Sequence, residues 1–245
     1  MRTKEDFINT PMGDALFELN EELKRQDYPK ITLNVIGGFA MMVHGYRPAD
    51  SVTDIDYVGA TLSEKIVKIS EKIGLRNGLG SDWINNDVML TGSSLEDFET
   101  STGELNFTEA MDLECITVNV IDADDLLRLK IIALDTALSA VELGGDFSRM
   151  KDIPDTILLL DGLNTDIETA IEKNKDYLIN PHIPRVIDLY KENGADAVYD
   201  FLNDLADQNI KELDAESPKT NEERGSMIET MLSIAFARAA KEPDY

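Results

Sequence analysis

The sequence predicts an α/β protein of the α+β kind, with a small mixed sheet flanked by helices and a helical C-terminal region. Short runs rich in β-branched residues, among them ITLNV and ITVNV, are typical of buried strands. Around them, apolar residues recur at the spacing of amphipathic helices. After about residue 162 the pattern is helical throughout. We therefore expect one domain over residues 1–162 and a helical region over residues 163–245.

The first third of the chain predicts a helix, a strand and a glycine turn. An amphipathic helix is expected from about Lys4 to Arg25, broken near Pro11 because proline lacks the amide proton. The run Ile31–Val35 predicts a buried strand that enters a tight turn at Gly37-Gly38. The residues that follow have helical spacing, and Gly45 predicts the end of that helix.

Strands and helices then alternate up to residue 162. Asp54 and Asp56 alternate with Ile55 and Tyr57, which predicts a strand with one polar face. Two further strands are expected at 105–111 and 114–122, as a hairpin turning near Asp112. Helices are expected at 61–75, at 122–145, from Pro154 to about 162, and near 166–178, 182–193, 195–206 and 221–241.

Composition limits the class of protein. The chain has 245 residues, and 48 acidic against 23 basic residues give a formal net charge of −25, which argues against broad nucleic-acid binding. No stretch approaches the roughly 18 apolar residues of a membrane helix. The N-terminus lacks an apolar signal core. With a single cysteine, Cys115, these features predict a cytoplasmic protein.

Asp54 and Asp56 are the strongest candidates for metal ligands. Two residues apart on a strand, their side chains leave the same face, with Cα atoms about 6.5–7 Å apart. Like charges so close favour a bound cation between them, and hard carboxylate oxygens suit Mg²⁺. With one cysteine and two histidines, zinc sites and Cys/His nucleophilic chemistry are effectively excluded.

The glycine pair Gly37-Gly38 supplies the second part of the predicted site. A residue without Cβ lets the backbone amides approach a phosphate closely. A metal clamp beside an anion-binding turn is what nucleotidyl transfer requires. A plain strand-to-helix turn is the alternative reading of the same two glycines.

The segment GGFAMMVHG…R…TDIDY resembles the glycine-pair and Asp-x-Asp signature of the nucleotidyltransferase superfamily. It is most similar to the branch that contains abortive-infection toxins of the AbiEii kind. That branch also tends to show a lysine in the helix after the sheet and a later Arg/Lys-Asp cluster, matched here by LLRLKIIAL and SRMKDIPDTILLL. The tryptophan segment SDWINND is also similar, and the resemblance covers roughly residues 31–162.

The resemblance implies roles for several residues. Lys130 and Asp152 would join Gly37, Gly38 and Arg47 in binding the nucleotide, with Lys130 neutralising the triphosphate. Lys130 also lies in the middle of the apolar stripe of its helix, so it must snorkel, pair with an acid or meet a ligand.

The sequence departs from the family pattern at two points. Relatives often place an arginine four residues before the first aspartate, whereas here that position is Asp50 and the arginine is Arg47. A third carboxylate, carried by many active members on a neighbouring strand, is not evident from spacing. Glu114 is our first choice for it, with Asp112 and Glu109 as alternatives.

We expect a nucleotidyltransferase that uses one or two Mg²⁺ ions to transfer a nucleoside monophosphate from an NTP to an RNA, protein or small-molecule acceptor. Asp54, Asp56 and Glu114 would hold the metal, and with Lys130 they form the predicted catalytic set. Family context implies a toxin-like role with a cognate antitoxin. The alternatives are a catalytically inactive member of the fold that binds nucleotides or a partner, and an antitoxin-like protein that sequesters a basic toxin.

Overall fold

The computed structural model describes residues 10–48, 51–87, 95–142, 145 and 147–216, with side chains described up to residue 207. It has a mixed α/β fold built on one five-stranded sheet, so the predicted α/β class is confirmed. None of the described helices combines the length and the apolar character needed to cross a membrane. The helix expected near 221–241 and the start of the first one lie outside the described residues.

The described elements follow the predicted order, with two additions. The strands are β1 (Ile31–Val35), β2 (Ile55–Val58), β3 (Ile84–Asn85), β4 (Phe107–Asp112) and β5 (Ile116–Ile121). The helices are α1 (Pro11–Arg25), α2 (Gly37–Val43), α3 (Glu64–Arg76), α4 (Leu95–Thr102), α5 (Ala123–Glu142), α6 (Asp152–Gly162), α7 (Ile167–Lys173) and α8 (Ile183–Glu216). The short strand β3 and helix α4 were missed by the sequence patterns.

The sheet has the strand order β3-β2-β1-β5-β4. Strand β1 pairs antiparallel with β2 and parallel with β5. Strands β4 and β5 form the predicted hairpin, with a register shift between Glu109 and Met111. Because β1 and β2 run in opposite directions, the end of β1 meets the start of β2, which brings the glycine turn beside the aspartate strand.

Local signals set several helix boundaries. Thr10 caps α1 by accepting a hydrogen bond from the amide of Gly13 at 3.0 Å, and Pro11 occupies the first turn, where its missing amide proton costs nothing. Ser63 caps α3 through the amide of Ile66. Within α8, Gly194 has φ 78° and divides the element into two helical segments. These correspond to the two helices predicted near 182–193 and 195–206.

The chain divides into two compact units. Unit 1 comprises residues 1–99 and 103–126, and unit 2 comprises residues 100–102 and 127–245. The sequence suggested a division near residue 162, whereas these units divide within α5. In unit 1 one face of the sheet forms the core, through Leu33, Val35, Ile55, Tyr57, Ile116, Val118 and Val120. The opposite face carries Thr32, Asn34, Asp56, Thr117 and Asn119, together with the buried Val58 and Ile121.

Candidate functional site

Gly37 and Asp56 are in direct contact where β1 ends and β2 begins. The amide of Ile36 donates to the carbonyl of Asp56 at 2.9 Å, which extends the β1–β2 pairing by one residue. A Cβ placed on Gly37 would lie only 2.5 Å from Oδ2 of Asp56. Gly37 also has φ +65°, a left-handed conformation that favours glycine. Glycine is therefore required here both by the backbone conformation and by the adjacent carboxylate.

Asp56 lies within β2, whereas Asp54 immediately precedes it, so a common face for the two carboxylates stays a prediction. Ile55, between the two aspartates, and Tyr57, after Asp56, are buried. Asp54 is exposed and Asp56 is half-buried. The Asp56 carboxylate thus borders the glycine turn, and Asp54 lies two residues before it in the chain.

Arg47 reaches the second glycine of the turn. Its Nη1 lies 3.5 Å from the position that a Cβ on Gly38 would occupy, and Val52 lies 3.8 Å from the same position. The backbone amides of Tyr46 and Arg47 both donate to the carbonyl of Met41, at 2.9 and 3.3 Å. These bonds fold the chain back after α2. The guanidinium of Arg47 therefore lies at the glycine turn.

The end of α2 is also anchored to the sheet. Nε2 of His44 lies 2.7 Å from the carbonyl oxygen of Ile121, at the end of β5. The five residues Phe39–Val43 between the glycines and this anchor are all buried. Since both ends of α2 are held, the glycine turn has a fixed position relative to β2.

Glu114 lies at the other end of the sheet from Asp56. Strand β5 begins beside Ile31, at the start of β1, whereas Asp56 lies beside the end of β1. These two levels are five residues apart along β1, from Ile31 to Ile36, which at about 3.3 Å per residue is roughly 17 Å. Glu114 instead forms an exposed ion pair with Lys24 at 2.5 Å. The geometry therefore does not bring Glu114 to the aspartate pair.

The two alternative carboxylates are also remote. Asp112 pairs with Thr117 near the start of β5 and bonds to Lys30 at 2.5 Å. Glu109 pairs with Asn119 on the edge strand β4, which is three strands from β2. Within the part of the chain that the structure describes, no group of three or more His, Cys, Asp or Glu side chains is placed to hold a metal ion.

The polar neighbours of Asp56 on its face of the sheet are amides, and the buried Val58 follows it on the same strand. Asn85 on β3 is its direct partner, and Asn34 and Asn119 follow on β1 and β5. Sequence reasoning did not single out Asn34 or Asn119. The sequence signal that could have found them is the alternation in ITLNV and ITVNV, which places each asparagine on the face of the strand opposite the apolar residues.

Lys130 belongs to a buried ion cluster in unit 2. Its Nζ lies 2.5 Å from Oδ1 of Asp152 and 2.8 Å from Oδ2 of Asp155, and its side chain is only 12% exposed. Nη1 of Arg149 lies 3.6 Å from the other oxygen of Asp152. Of the roles left open by the sequence, pairing with acids is the one observed. The part of Lys130 and Asp152 in nucleotide binding stays a prediction.

The first prediction tests the contact between Gly37 and Asp56 through stability. Gly37→Ala should lower the free energy of unfolding by about 2–4 kcal/mol, from left-handed strain and overpacking. In an Asp56→Ala background the same change should cost about 1–2 kcal/mol less, because the clashing carboxylate is gone. Urea unfolding followed by the fluorescence of Trp83, the single, buried tryptophan, measures both.

Gly45→Ala is the matched control for that double-mutant cycle. Gly45 lies just after α2 with φ +87°, and no heavy atom lies within 4 Å of its Cβ position. Its substitution should therefore show backbone strain of about 1–2 kcal/mol without coupling to Asp56. An equal cost of Gly37→Ala in both backgrounds would contradict the proposed contact.

The second prediction concerns the Lys130 cluster. Lys130→Met leaves two buried carboxylates without their shared cation and should lower the free energy of unfolding by about 3–5 kcal/mol. Adding Asp152→Asn and Asp155→Asn should restore most of the loss. Lys68→Met, which breaks an exposed pair with Glu64, should cost no more than about 0.5 kcal/mol. Equal losses for the two lysine variants would show that the cluster contributes little.

No protein-family model, curated protein or solved structure matches this chain. Function must therefore be inferred from the geometry of the described residues and from the chemistry that those residues allow.

Proposed function

We propose that this protein has a nucleotidyltransferase-like fold, binds an NTP together with Mg²⁺ at the glycine turn, and transfers the nucleoside monophosphate to an acceptor hydroxyl. The observation that carries the proposal is the packing of Gly37 against Asp56, with Arg47 beside Gly38. It brings a glycine turn, a guanidinium and the Asp56 carboxylate to one end of the sheet, and Asp54 is proposed as the second carboxylate.

The residues present fit a magnesium–triphosphate group. Mg²⁺ in such sites binds one or two carboxylates and completes its coordination with water and phosphate oxygens, so Asp54 and Asp56 suffice as protein ligands. The Asp56 carboxylate occupies the space that a Cβ on Gly37 would fill, so a metal held by Asp56 would lie next to the glycine turn. Arg47 supplies the planar donor array that suits phosphate oxygens. Its positive charge also offsets the repulsion of phosphate by a chain with net charge −25.

The chemistry follows from these contacts. The acceptor hydroxyl oxygen forms a bond to the α-phosphorus, the bond between that phosphorus and the bridging oxygen of the β-phosphate breaks, and pyrophosphate leaves. The hydroxyl proton passes to a carboxylate or to water. Bound Mg²⁺ supplies charge neutralisation on the phosphates. Gly37 and Gly38 would admit the phosphate chain, Arg47 would orient it, and Asp54 and Asp56 would hold the metal.

A second candidate function is nucleotide binding without transfer. The observation that favours it is the set of amides around Asp56, where active relatives are expected to carry a third carboxylate. Glu114 is engaged with Lys24 far from the site. A chain with two metal-binding carboxylates and no third could sense a nucleotide, or bind a partner in a nucleotide-dependent way.

The toxin-like role, with a cognate partner in the cytoplasm, rests on the family resemblance alone, whereas the antitoxin-like role also draws on charge. The net charge of −25 suits the sequestration of a basic protein. Salt-sensitive co-purification of such a protein would support the antitoxin-like role specifically.

The third prediction is measured by calorimetry and label transfer. The wild type should bind one or more NTPs only with Mg²⁺, and Asp54→Asn and Asp56→Asn should each weaken this binding at least about tenfold, which is 1.4 kcal/mol. Glu114→Gln is the matched control, since it removes a carboxylate that lies outside the site, and it should bind as the wild type does.

Each outcome has a distinct meaning. Transfer of label from an α-labelled NTP to RNA or protein supports the transferase, whereas tight Mg²⁺-dependent binding without transfer to any acceptor class favours the second candidate. Absence of Mg²⁺-dependent binding by the wild type would contradict both. Loss of binding in Glu114→Gln would contradict the assignment of the site to the glycine turn.

A further inference from the structure

Two asparagines lie side by side on the polar face of the sheet, next to Asp56. Asn34 on β1 pairs with Asn119 on β5, and Nδ2 of Asn119 donates to Oδ1 of Asn34 at 3.0 Å. Both side chains are half-buried. Asn34 also pairs with Val58, two residues from Asp56 on the same face. Asn34 and Asp56 are therefore diagonal neighbours, about 7–8 Å apart.

Sheet stability does not explain this pair. Asparagine is depleted in strands, whereas valine and threonine are favoured. The other residues of β1 and β5 are β-branched except for Leu33, so these two asparagines are the exceptions. Residues that break a local structural preference without a compensating gain in packing are commonly found at functional positions.

The hydrogen bond within the pair determines which groups remain available. Because Asn119 donates to Oδ1 of Asn34, Nδ2 of Asn34 remains a donor and Oδ1 of Asn119 remains an acceptor. Neither atom makes another hydrogen bond to a residue that the structure describes. An adjacent donor and acceptor match the edge of a nucleobase, as asparagine does when it recognises adenine.

We infer that the Asn34–Asn119 pair binds the base of the nucleotide whose phosphates lie at the glycine turn. This inference rests on the proposed function and adds the residues that recognise the nucleoside. The pair lies on the same face as Asp56 and toward the start of β1, so a ribose can span from the α-phosphate to it. It makes Asn34 and Asn119 specificity-determining residues, while the metal and phosphate contacts remain with the glycine turn and the aspartates.

The test compares ligands with and without a base. Calorimetry in Mg²⁺ would measure the binding of ATP, GTP, CTP, UTP and inorganic tripolyphosphate to the full chain. Asn34→Val and Asn119→Val should each weaken binding of the preferred NTP about 5- to 10-fold, the loss of one hydrogen bond, and leave tripolyphosphate affinity unchanged. Thr32→Val, on the same face but further from Asp56, should change neither.

Valine is chosen so that a loss of binding cannot be attributed to a loss of folding. Valine favours strands, so unfolding of these variants, followed through Trp83, should need no less urea than the wild type. Asn34→Thr and Asn119→Thr serve as second variants. Unchanged NTP affinity, an equal loss for tripolyphosphate, or a loss of transfer with NTP affinity intact would overturn the inference. If the wild type binds neither NTP nor tripolyphosphate, the proposed function itself fails.

Discussion

The absence of a side chain at Gly37 is the constraint on which the rest of the site depends. A Cβ there would collide with the Asp56 carboxylate, so this carboxylate can lie against the turn only because the residue is glycine. The antiparallel pairing of β1 with β2 brings the two together, and the bond from Ile36 to the Asp56 carbonyl fixes their register. Arg47 then approaches Gly38 because the chain folds back onto Met41. Strand order, turn and loop thus converge on one small region.

Much of this region follows from local patterns in the sequence. The strand Ile31–Val35, the glycine turn and the alternation around Ile55 each have a short-range physical cause, and each is confirmed. The misassigned third carboxylate has a long-range cause. Glu114 starts a strand that runs parallel to β1, so it lies at the far end of the sheet, and no local pattern reveals which strands are parallel neighbours. The same limit hid Asn34 and Asn119, whose significance depends on a pairing across 85 residues.

Unit 2 contains a buried ion cluster formed by Lys130, Asp152 and Asp155. Lys130 occupies a position in an apolar stripe, which the sequence shows, but its partners come from the first turn of α6, 22 and 25 residues later. Two carboxylates that share one ammonium ion in a buried setting are stable only together. The spacing of Asp152 and Asp155 places both on one face of the helix, so a single lysine can reach them. Acid pairing was one of three roles that the sequence left open for Lys130, and the contribution of Lys130 and Asp152 to nucleotide binding remains a proposal.

The most direct test of the central claim is the location of a bound metal. Crystals grown with Mn²⁺ and a non-hydrolysable NTP analogue would show the metal by anomalous scattering. A peak is expected about 2.1 Å from carboxylate oxygens of Asp54 and Asp56, with phosphate oxygens against Gly37, Gly38 and Arg47. A metal bound elsewhere on this acidic chain, or an analogue whose phosphates lie away from the glycine turn, would contradict it.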